Sequence, residues 1–461
     1  MIPLAIGVYS AAIVLAPSMA WRAVLCAPLV LVPLVLRTVF NQKAWILLFF
    51  AAALLLPPLP VALGDSGPHP ALLLAALGMC AGLVRLREWN FRFDALSLAA
   101  IALFSVLIAS VALAAIYSDY VVAFGSLARV LLFGISVYTF LYVANGPAHY
   151  TSAEIRRATR LLFLFGCASA LFGCLDFYYQ FPAPAGYGAQ FVWLDNAVLR
   201  RAQGLFYEAS TFGNLCAFFI VMVCVGLFRR DSWVPFARKW LAAGGVLFLG
   251  GLILSYSRAS VLNIIVALAA YAYIQRLKIR RVLLIAAGSA GAAVALVMAV
   301  FPNFALSYWL RLSTSVQFFA ASPEGVLSGR VGSWRILVDF LLHNPWHAIL
   351  GVGYKTLPYS SFIGRPVVGD NMYLSLLVET GVVGLGAFCA FNLAALVFAR
   401  RAAASADPQT AFFGKWIFCF WMGEVVQMAT GDLLTYWRVL PLYLWVLAIA
   451  VTNARSVSRS I

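Results

Sequence analysis

Long apolar runs, separated by short polar connections, occupy most of this 461-residue sequence. Only 10% of the residues are charged, whereas a soluble domain carries about 25%. Runs of this length can cross a bilayer, and inside lipid each backbone N–H and C=O must be paired within its own segment, so we expect helices. The sequence therefore predicts an all-α polytopic membrane protein.

Hydropathy predicts about fourteen transmembrane helices in a single integral membrane domain, 1–461. The chain opens with Met1-Ile2-Pro3 and lacks the basic segment of a cleavable signal peptide, so we expect the first span to be retained. One long polar connection, 302–371, precedes the last three spans and is expected to contain short amphipathic helices. The predicted spans are 3–20, 23–37, 44–64, 70–84, 95–118, 126–146, 161–180, 205–228, 240–257, 259–275, 282–301, 372–399, 412–431 and 437–454.

Lysine and arginine concentrate in alternate connections, which is the positive-inside pattern. The net charge of +16 therefore needs no nucleic acid to explain it. The pattern places both termini in the cytoplasm and the 302–371 loop on the opposite side of the membrane. The eight cysteines lie in apolar runs, so we predict neither a disulfide framework nor a cysteine-based metal site.

Few basic residues are expected on the outer side, and they fall into three connections. With Arg22, Arg129 and Arg438 set aside, they are Arg200, Arg201, Arg258, Arg311, Arg330, Arg335, Lys355 and Arg365. Arg258 follows Tyr256-Ser257 between two apolar runs, where a charge is costly unless it is paired. Because a guanidinium matches phosphate oxygens, Arg258 is a candidate anion-binding residue; the alternative is a boundary arginine that reaches to the membrane surface.

The long loop contains a helical pattern that begins at Ser328, a plausible N-cap, and should end before Pro345. Arg330 falls in its first turn, where the helix dipole disfavours a cation and a bound anion would offset that cost. Trp334 and Arg335 follow on the same helix. Arg335 is either a substrate-binding residue or part of a solvated face.

Two carboxylates precede predicted spans on this side, Glu208 after Arg200-Arg201 and Asp370 before Asn371 and Tyr373. Either could act as a base toward a hydroxyl, and the sequence does not decide between them. The alternatives are a plain N-cap for Asp370 and a dipole-favoured acid for Glu208. Glu379 and Glu424 lie within spans and are expected to face other helices. Pro345 separates His343 from His347, and no metal or cofactor motif is present, so we predict neither.

Four motifs occur together in order and with matching sidedness. They are Arg-x-x-Gly-x-Phe with a following acid (Arg201 to Glu208), Ser257-Arg258, Ser-Gly-Arg-x-x-x-Trp (Ser328 to Trp334), and Pro…Gly-x-Gly…Asp-Asn-x-Tyr-Leu…Glu-x-Gly-x-x-Gly (Pro345 to Gly384). This arrangement resembles the superfamily of bacterial O-antigen ligases and O-antigen polymerases over roughly residues 195–400.

The resemblance implies a glycosyltransferase C-like fold in the bacterial inner membrane. It also implies an enzyme that moves a glycan from undecaprenyl diphosphate to a sugar hydroxyl, with inversion, at the periplasmic face and without a metal. Its partners would be the lipid-linked oligosaccharide, membrane lipids and a chain-length regulator. By position, Arg258, Arg330 and Arg201 match arginines of the family. The resulting site has catalytic Asp370, Arg258, Arg330 and Glu208, with substrate-binding Arg200, Arg201, Arg335, Asn371, Tyr373 and Trp334.

One motif departs from the ligases of this superfamily, which carry His-Asn where this chain has Asp370-Asn371. Together with the span count, this favours a polymerase of surface-polysaccharide repeat units. The alternatives are a ligase that transfers the glycan to lipid A-core and, from another class, a lipid or polysaccharide transporter. Against a transporter, the chain lacks two matched halves with paired broken helices.

Overall fold

A computed structural model describes most of the chain. The described residues are 2–18, 21–22, 25–26, 29, 32–33, 35–37, 41, 43–59, 68–146, 150–181, 190–194, 197–206, 208–228, 233–276, 309–310, 313 and 330–457. Within them the chain is helical apart from loops and one short hairpin. The predicted spans 23–37 and 282–301 lie partly or wholly outside the described residues.

The helices follow the apolar runs. They are α1 (Ile2–Leu15), α2 (Ala44–Leu55), α3 (Pro70–Val84), α4 (Ala95–Tyr117), α5 (Tyr120–Ala144), α6 (Ser152–Tyr179), α7 (Ala209–Phe228), α8 (Arg238–Leu254), α9 (Arg258–Ile274), α10 (Arg330–His343), α11 (His347–Leu350), α12 (Met372–Ala403), α13 (Pro408–Gln427) and α14 (Leu440–Val457). Single 3₁₀ turns occur at Leu86–Glu88 and Leu433–Thr435.

Five of these helices, α4, α5, α6, α7 and α12, are long and apolar enough to cross a membrane. Shorter apolar helices occur at Ala44–Leu55, Pro70–Val84, Arg258–Ile274 and Leu440–Thr452. The chain is therefore a multi-pass membrane protein, as predicted, whereas the count of fourteen spans stays a prediction.

Side-chain caps fix several helix starts. Asp94, Asp119 and Asp407 each accept a hydrogen bond from a backbone N–H in the first turn of α4, α5 or α13. Thr151 and Glu154 form a capping box that starts helix α6 at Ser152, about two and a half turns before the predicted residue 161. Hydropathy alone could not reveal these polar turns.

The connection between α6 and α7 contains the hairpin, which the all-α prediction missed. Strands β1 (Phe191–Leu194) and β2 (Ala197–Arg200) pair antiparallel, with Phe191 opposite Arg200. Gln190 connects this hairpin to the next helix. Its backbone N–H donates to Gln203 Oε1 at 2.7 Å, and its side-chain Oε1 accepts from Ala209 N at 2.9 Å.

The centre of the bundle is made by α7, α13 and α14. Phe218 packs against Trp416 and Tyr443, with ring centroids 4.5 Å apart in both pairs. The Trp416 indole N–H also donates to Phe218 O at 2.9 Å, so the polar atom of this buried ring is paired within the core.

A second buried group in the bundle interior, the Glu424 cluster, is polar. It joins Glu424 and Gln427 on α13 to Asn214 on α7, Asn263 on α9 and Tyr443 on α14. Asn263 Nδ2 donates to Glu424 Oε1 at 2.6 Å, and Asn214 Nδ2 donates to the same oxygen. Tyr443 Oη donates to Asn214 Oδ1 at 2.6 Å. The prediction that Glu424 contacts another helix is confirmed.

Candidate functional site

Four segments of the bundle meet at what we call the long-loop end: the residues that lead into α7, the α8–α9 turn, the long loop and the α13–α14 connection. Ala202 N donates to Leu254 O at 2.9 Å, which joins the start of α7 to the α8–α9 turn. Met372 N donates to Met428 O at 2.9 Å, which joins the long loop to the α13–α14 connection. The buried Arg438 guanidinium donates to Leu205 O, so the α13–α14 connection also contacts the residues that lead into α7.

Helix α10 lies against the last residues of the long loop. Leu337 on its inner face is fully buried, and the Trp334 indole N–H donates to Gly369 O at 2.7 Å. The predicted helix end before Pro345 is confirmed. The predicted N-cap Ser328 lies outside the described residues. This packing holds the start of α10 beside residues 369–371.

Arg330 and Asp370 form an ion pair in that contact, with Arg330 Nε 3.1 Å from Asp370 Oδ2. The Asp370 backbone has φ of 42°, a left-handed conformation that is uncommon outside glycine. The N-cap of α12 is Asn371, whose Oδ1 accepts from Leu374 N at 3.1 Å, so the alternative that Asp370 itself caps the helix is wrong. The carboxylate of Asp370 faces Arg330 instead.

Helix α12 is broken two residues beyond Glu379, where Gly381 has φ of 67° and ψ of −171°. The loop residues 351–353 dock there, because Val352 N donates to Val378 O at 3.1 Å and Gly353 N donates to Glu379 O at 2.8 Å. A Cβ on Gly381 would lie 2.0 Å from Ile349 O. The glycines of the fourth motif thus allow the long loop to enter the helix bundle.

The docked loop carries Lys355, which forms an ion pair with Asp432 in the α13–α14 connection. The Glu379 carboxylate faces the backbone amides of Lys355 and Leu357, and it is buried, in agreement with the expectation that it avoids lipid. Burial lowers the pKa of Lys355 below its ordinary 10.5, and the positive charge of Arg129 acts in the same direction.

The α8–α9 turn positions Arg258 as the first residue of α9. Ser257 caps that helix, with its Oγ accepting from Ser260 N, and Tyr256 before it has φ of 51°. Arg201 contacts the same turn, since its Nε donates to Ser255 O at 2.9 Å. The structure therefore brings the first and second predicted motifs together.

Glu208 lies between these motifs and the long loop. It is exposed at the start of α7 and accepts a hydrogen bond from Ser210 Oγ at 2.8 Å. Tyr436 is buried in the α13–α14 connection, and the charges of Glu208 and Arg201 act on its pKa. The charges of Glu208 and Asp370 act on the pKa of Lys355. All four predicted catalytic residues lie at the long-loop end of the bundle.

Other predicted substrate-binding residues make internal contacts. Arg200 Nη2 is 3.3 Å from Asp176 Oδ1, an ion pair that joins β2 to the end of α6. Tyr373 Oη donates to Val425 O at 2.7 Å and holds α12 against α13. Arg335 is exposed on α10. Trp334, Asn371 and Tyr373 thus position the segments that carry Arg330 and Asp370.

Sequence reasoning missed four residues of this end. Lys355 was counted there without a role, Arg129 was set aside, and Asp432 and Tyr436 were overlooked. Arg129 lies inside α5 and stacks on the Tyr359 ring, 4.4 Å from its centroid. A charge inside a predicted span is itself a signal of function and could have identified Arg129.

The arrangement combines guanidiniums and an ammonium with carboxylates, a set suited to binding a phosphate and accepting a proton. Among the residues that the structure describes, no group of three or more His, Cys, Asp or Glu side chains could hold a metal ion.

Comparison with known proteins bears on the middle of the chain. Residues 243–389 match the family model described as O-antigen ligase. This confirms the predicted resemblance to the O-antigen ligase and polymerase superfamily, and the matched part includes Arg258, Arg330 and Asp370. No curated protein matches the chain.

Proposed function

We propose that the protein is a polymerase of undecaprenyl-diphosphate-linked polysaccharide repeat units that acts at the periplasmic face of the bacterial inner membrane. The observation that carries the proposal is the Arg330–Asp370 ion pair at 3.1 Å, because both residues lie in the part of the chain that matches the O-antigen ligase family. Ionisable residues that a membrane protein retains near its spans commonly mark substrate sites or pathways.

The reaction is a displacement at an anomeric carbon. The acceptor hydroxyl oxygen forms a bond to that carbon while the bond to the diphosphate oxygen breaks, and the configuration inverts. The hydroxyl proton goes to a carboxylate, Asp370 or Glu208, and the electron pair of the broken bond leaves on undecaprenyl diphosphate. No oxidation or reduction occurs.

The arginines stabilise the charge that develops on the diphosphate. Arg258 and Arg330 serve this role, with Arg201 beside the Arg258 turn. Asp370 holds Arg330 in place before the substrate arrives. When the diphosphate takes over the contact with Arg330, the Asp370 carboxylate becomes free to accept the proton.

A ligase that transfers the glycan to lipid A-core is the second candidate, and the description of the matching family favours it. Asp370-Asn371 in place of His-Asn favours the polymerase. The two differ in which lipid-linked intermediate accumulates when the protein is missing: single repeat units for a polymerase, and finished polymer for a ligase.

The test uses a deletion strain of the source bacterium complemented with wild-type, Arg258→Ala or Arg330→Ala protein. We expect both variants to reach wild-type abundance and to make no long-chain polysaccharide, while single lipid-linked repeat units accumulate. Arg157→Ala, an exposed arginine at the other end of the bundle, is the matched control and should behave as the wild type. Normal chain length in the Arg258→Ala strain would contradict the proposal, and accumulated lipid-linked polymer would identify a ligase.

A further inference from the structure

We propose that Lys355 is a positioning residue of this site, which holds the two candidate bases, Asp370 and Glu208, in place through its ion pair with Asp432. The inference rests on the proposed function and assigns a role to residues that the motifs do not include. Asp432 lies outside the matched region 243–389, so the pair joins the family domain to the C-terminal part of the chain.

The backbone around Lys355 is fixed. Its φ is 58°, a left-handed conformation, and the preceding Tyr354 N donates to Ser110 Oγ at 3.3 Å on α4. A Cβ on Gly353 would lie 2.5 Å from Ala114 Cα, so the loop passes directly against that helix. The Lys355 side chain is only 13% exposed, which leaves it few alternative positions.

Charged groups on several elements are near enough to act electrostatically on the Lys355 ammonium. Besides Asp432, they are Glu379 of α12, Arg129 of α5, Glu208 before α7 and Asp370 before α12, and the Tyr354 ring lies 5.8 Å away. Lys355 is thus a cation that both Asp370 and Glu208 sense. If its charge were removed, the carboxylates around it would repel one another and the loop would lose its contact with the α13–α14 connection.

The ammonium also gives the site a pH-dependent element. Because the pKa of Lys355 lies below 10.5, this group loses its proton before an ordinary lysine does, and arginine keeps its proton throughout. Burial raises the pKa values of Tyr354 and Tyr436, so these neighbouring phenols stay neutral over the same range. An alkaline loss of activity would therefore report on Lys355.

The experiment measures polymer formation by the purified full-length protein across neutral to alkaline pH, with lipid-linked repeat units extracted from the deletion strain. Binding of undecaprenyl diphosphate is measured alongside. Lys355→Arg keeps a charge that does not titrate in this range. The loss of polymer formation at alkaline pH should therefore move to higher pH in this variant. Asp432→Asn removes the anion that favours the charged form of Lys355. The loss of polymer formation should therefore move to lower pH in this variant. Lys355→Met should lower the rate about a hundredfold at neutral pH, the size expected for a misplaced catalytic group, and its rate should show no alkaline loss.

Lys239→Arg, on an exposed lysine of α8, is the matched control and should leave the profile unchanged. Profiles of Lys355→Arg and Asp432→Asn that both overlay the wild type would overturn the positioning role while the polymerase proposal stood. Wild-type protein that neither binds undecaprenyl diphosphate nor forms polymer would overturn both.

Discussion

Two groups of polar residues differ in composition, burial and position. The Glu424 cluster in the bundle interior joins one carboxyl to amides and a phenol on four helices. The cluster at the long-loop end joins carboxylates to Lys355 and Arg330, and most of its members lie on loops or at helix ends. The neutral donors around the Glu424 carboxyl can hold the four helices in fixed positions. The charges of both signs at the long-loop end can instead leave one another to bind a charged substrate.

This difference means that the same chemical change should have opposite consequences in the two places. A carboxyl replaced by its amide keeps the shape and removes the charge. At the long-loop end this change should remove activity and leave stability unchanged. In the bundle interior it should leave stability unchanged or increase it.

The largest effect is expected from Asp370→Asn, which removes a base and the partner of Arg330. The polymerisation rate should fall about a thousandfold, or about 4 kcal/mol in transition-state stabilisation, with the unfolding temperature unchanged. Glu208→Gln is assayed in parallel for the rate and for the unfolding temperature. Should Glu208→Gln lose the larger share of activity, Glu208 rather than Asp370 is the base.

The next effect concerns the bundle interior. Glu424→Leu leaves Asn214 and Asn263 without their shared acceptor, so unfolding should become easier by about 3 kcal/mol. Glu424→Gln should match or exceed wild-type stability, because it removes the cost of burying a carboxylate while its amide oxygen can still accept from Asn214 and Asn263. Thermal unfolding in detergent measures both. Equal losses for Leu and Gln would mean that the charge itself stabilises the fold.

A smaller effect is expected where the long loop enters the helix. Gly381→Ala forces a side chain into φ of 67° and against Ile349 O, and should destabilise the protein by about 2 kcal/mol with loss of activity. Gly386→Ala, on the same helix with no atom within 4 Å of the new Cβ, is the matched control and should be neutral. Similar unfolding temperatures for the two variants would show that the break at Gly381 is not required.

The smallest effect separates two arginines on one helix. Arg335 is exposed on α10, and Arg335→Ala should change the rate by less than about threefold. Arg330→Ala on the same helix should abolish long-chain polysaccharide. The assay is polymer length on gels with protein abundance as the reference. Equal loss in both variants would extend the substrate-binding surface to the outer face of α10.

The sequence predicted several helices to within a few residues, for example 95–118 against the observed Ala95–Tyr117. Such helices are apolar along their whole length, so hydropathy alone marks both ends. Where polar residues form part of a helix or a strand the prediction was wrong or incomplete, as at the capped start of α6 and in the β1–β2 hairpin, since both depend on hydrogen bonds rather than on burial.

The site divides in the same way. Arg258, Arg330, Asp370 and Glu208 could be selected because charges are rare on the predicted outer side of an apolar chain. The Lys355–Asp432 ion pair and the cap of α12 could not be predicted, because the two charges lie far apart in sequence and Asn371, not Asp370, caps the helix. Which of two adjacent polar residues caps a helix depends on local backbone angles that hydropathy does not report.

By itself, the sequence determined that the chain resides in a membrane and that it carries motifs like those of O-antigen ligases. It also determined which few charged residues are candidates for a functional site. The tertiary structure alone decided how those charges are paired. Arg330 pairs with Asp370 and Lys355 with Asp432, whereas Arg200 pairs with Asp176 at the end of α6. The physical reason is that burying a helix depends on the apolar character of its own residues, whereas an ion pair between distant segments depends on where the glycine-rich loop enters the bundle.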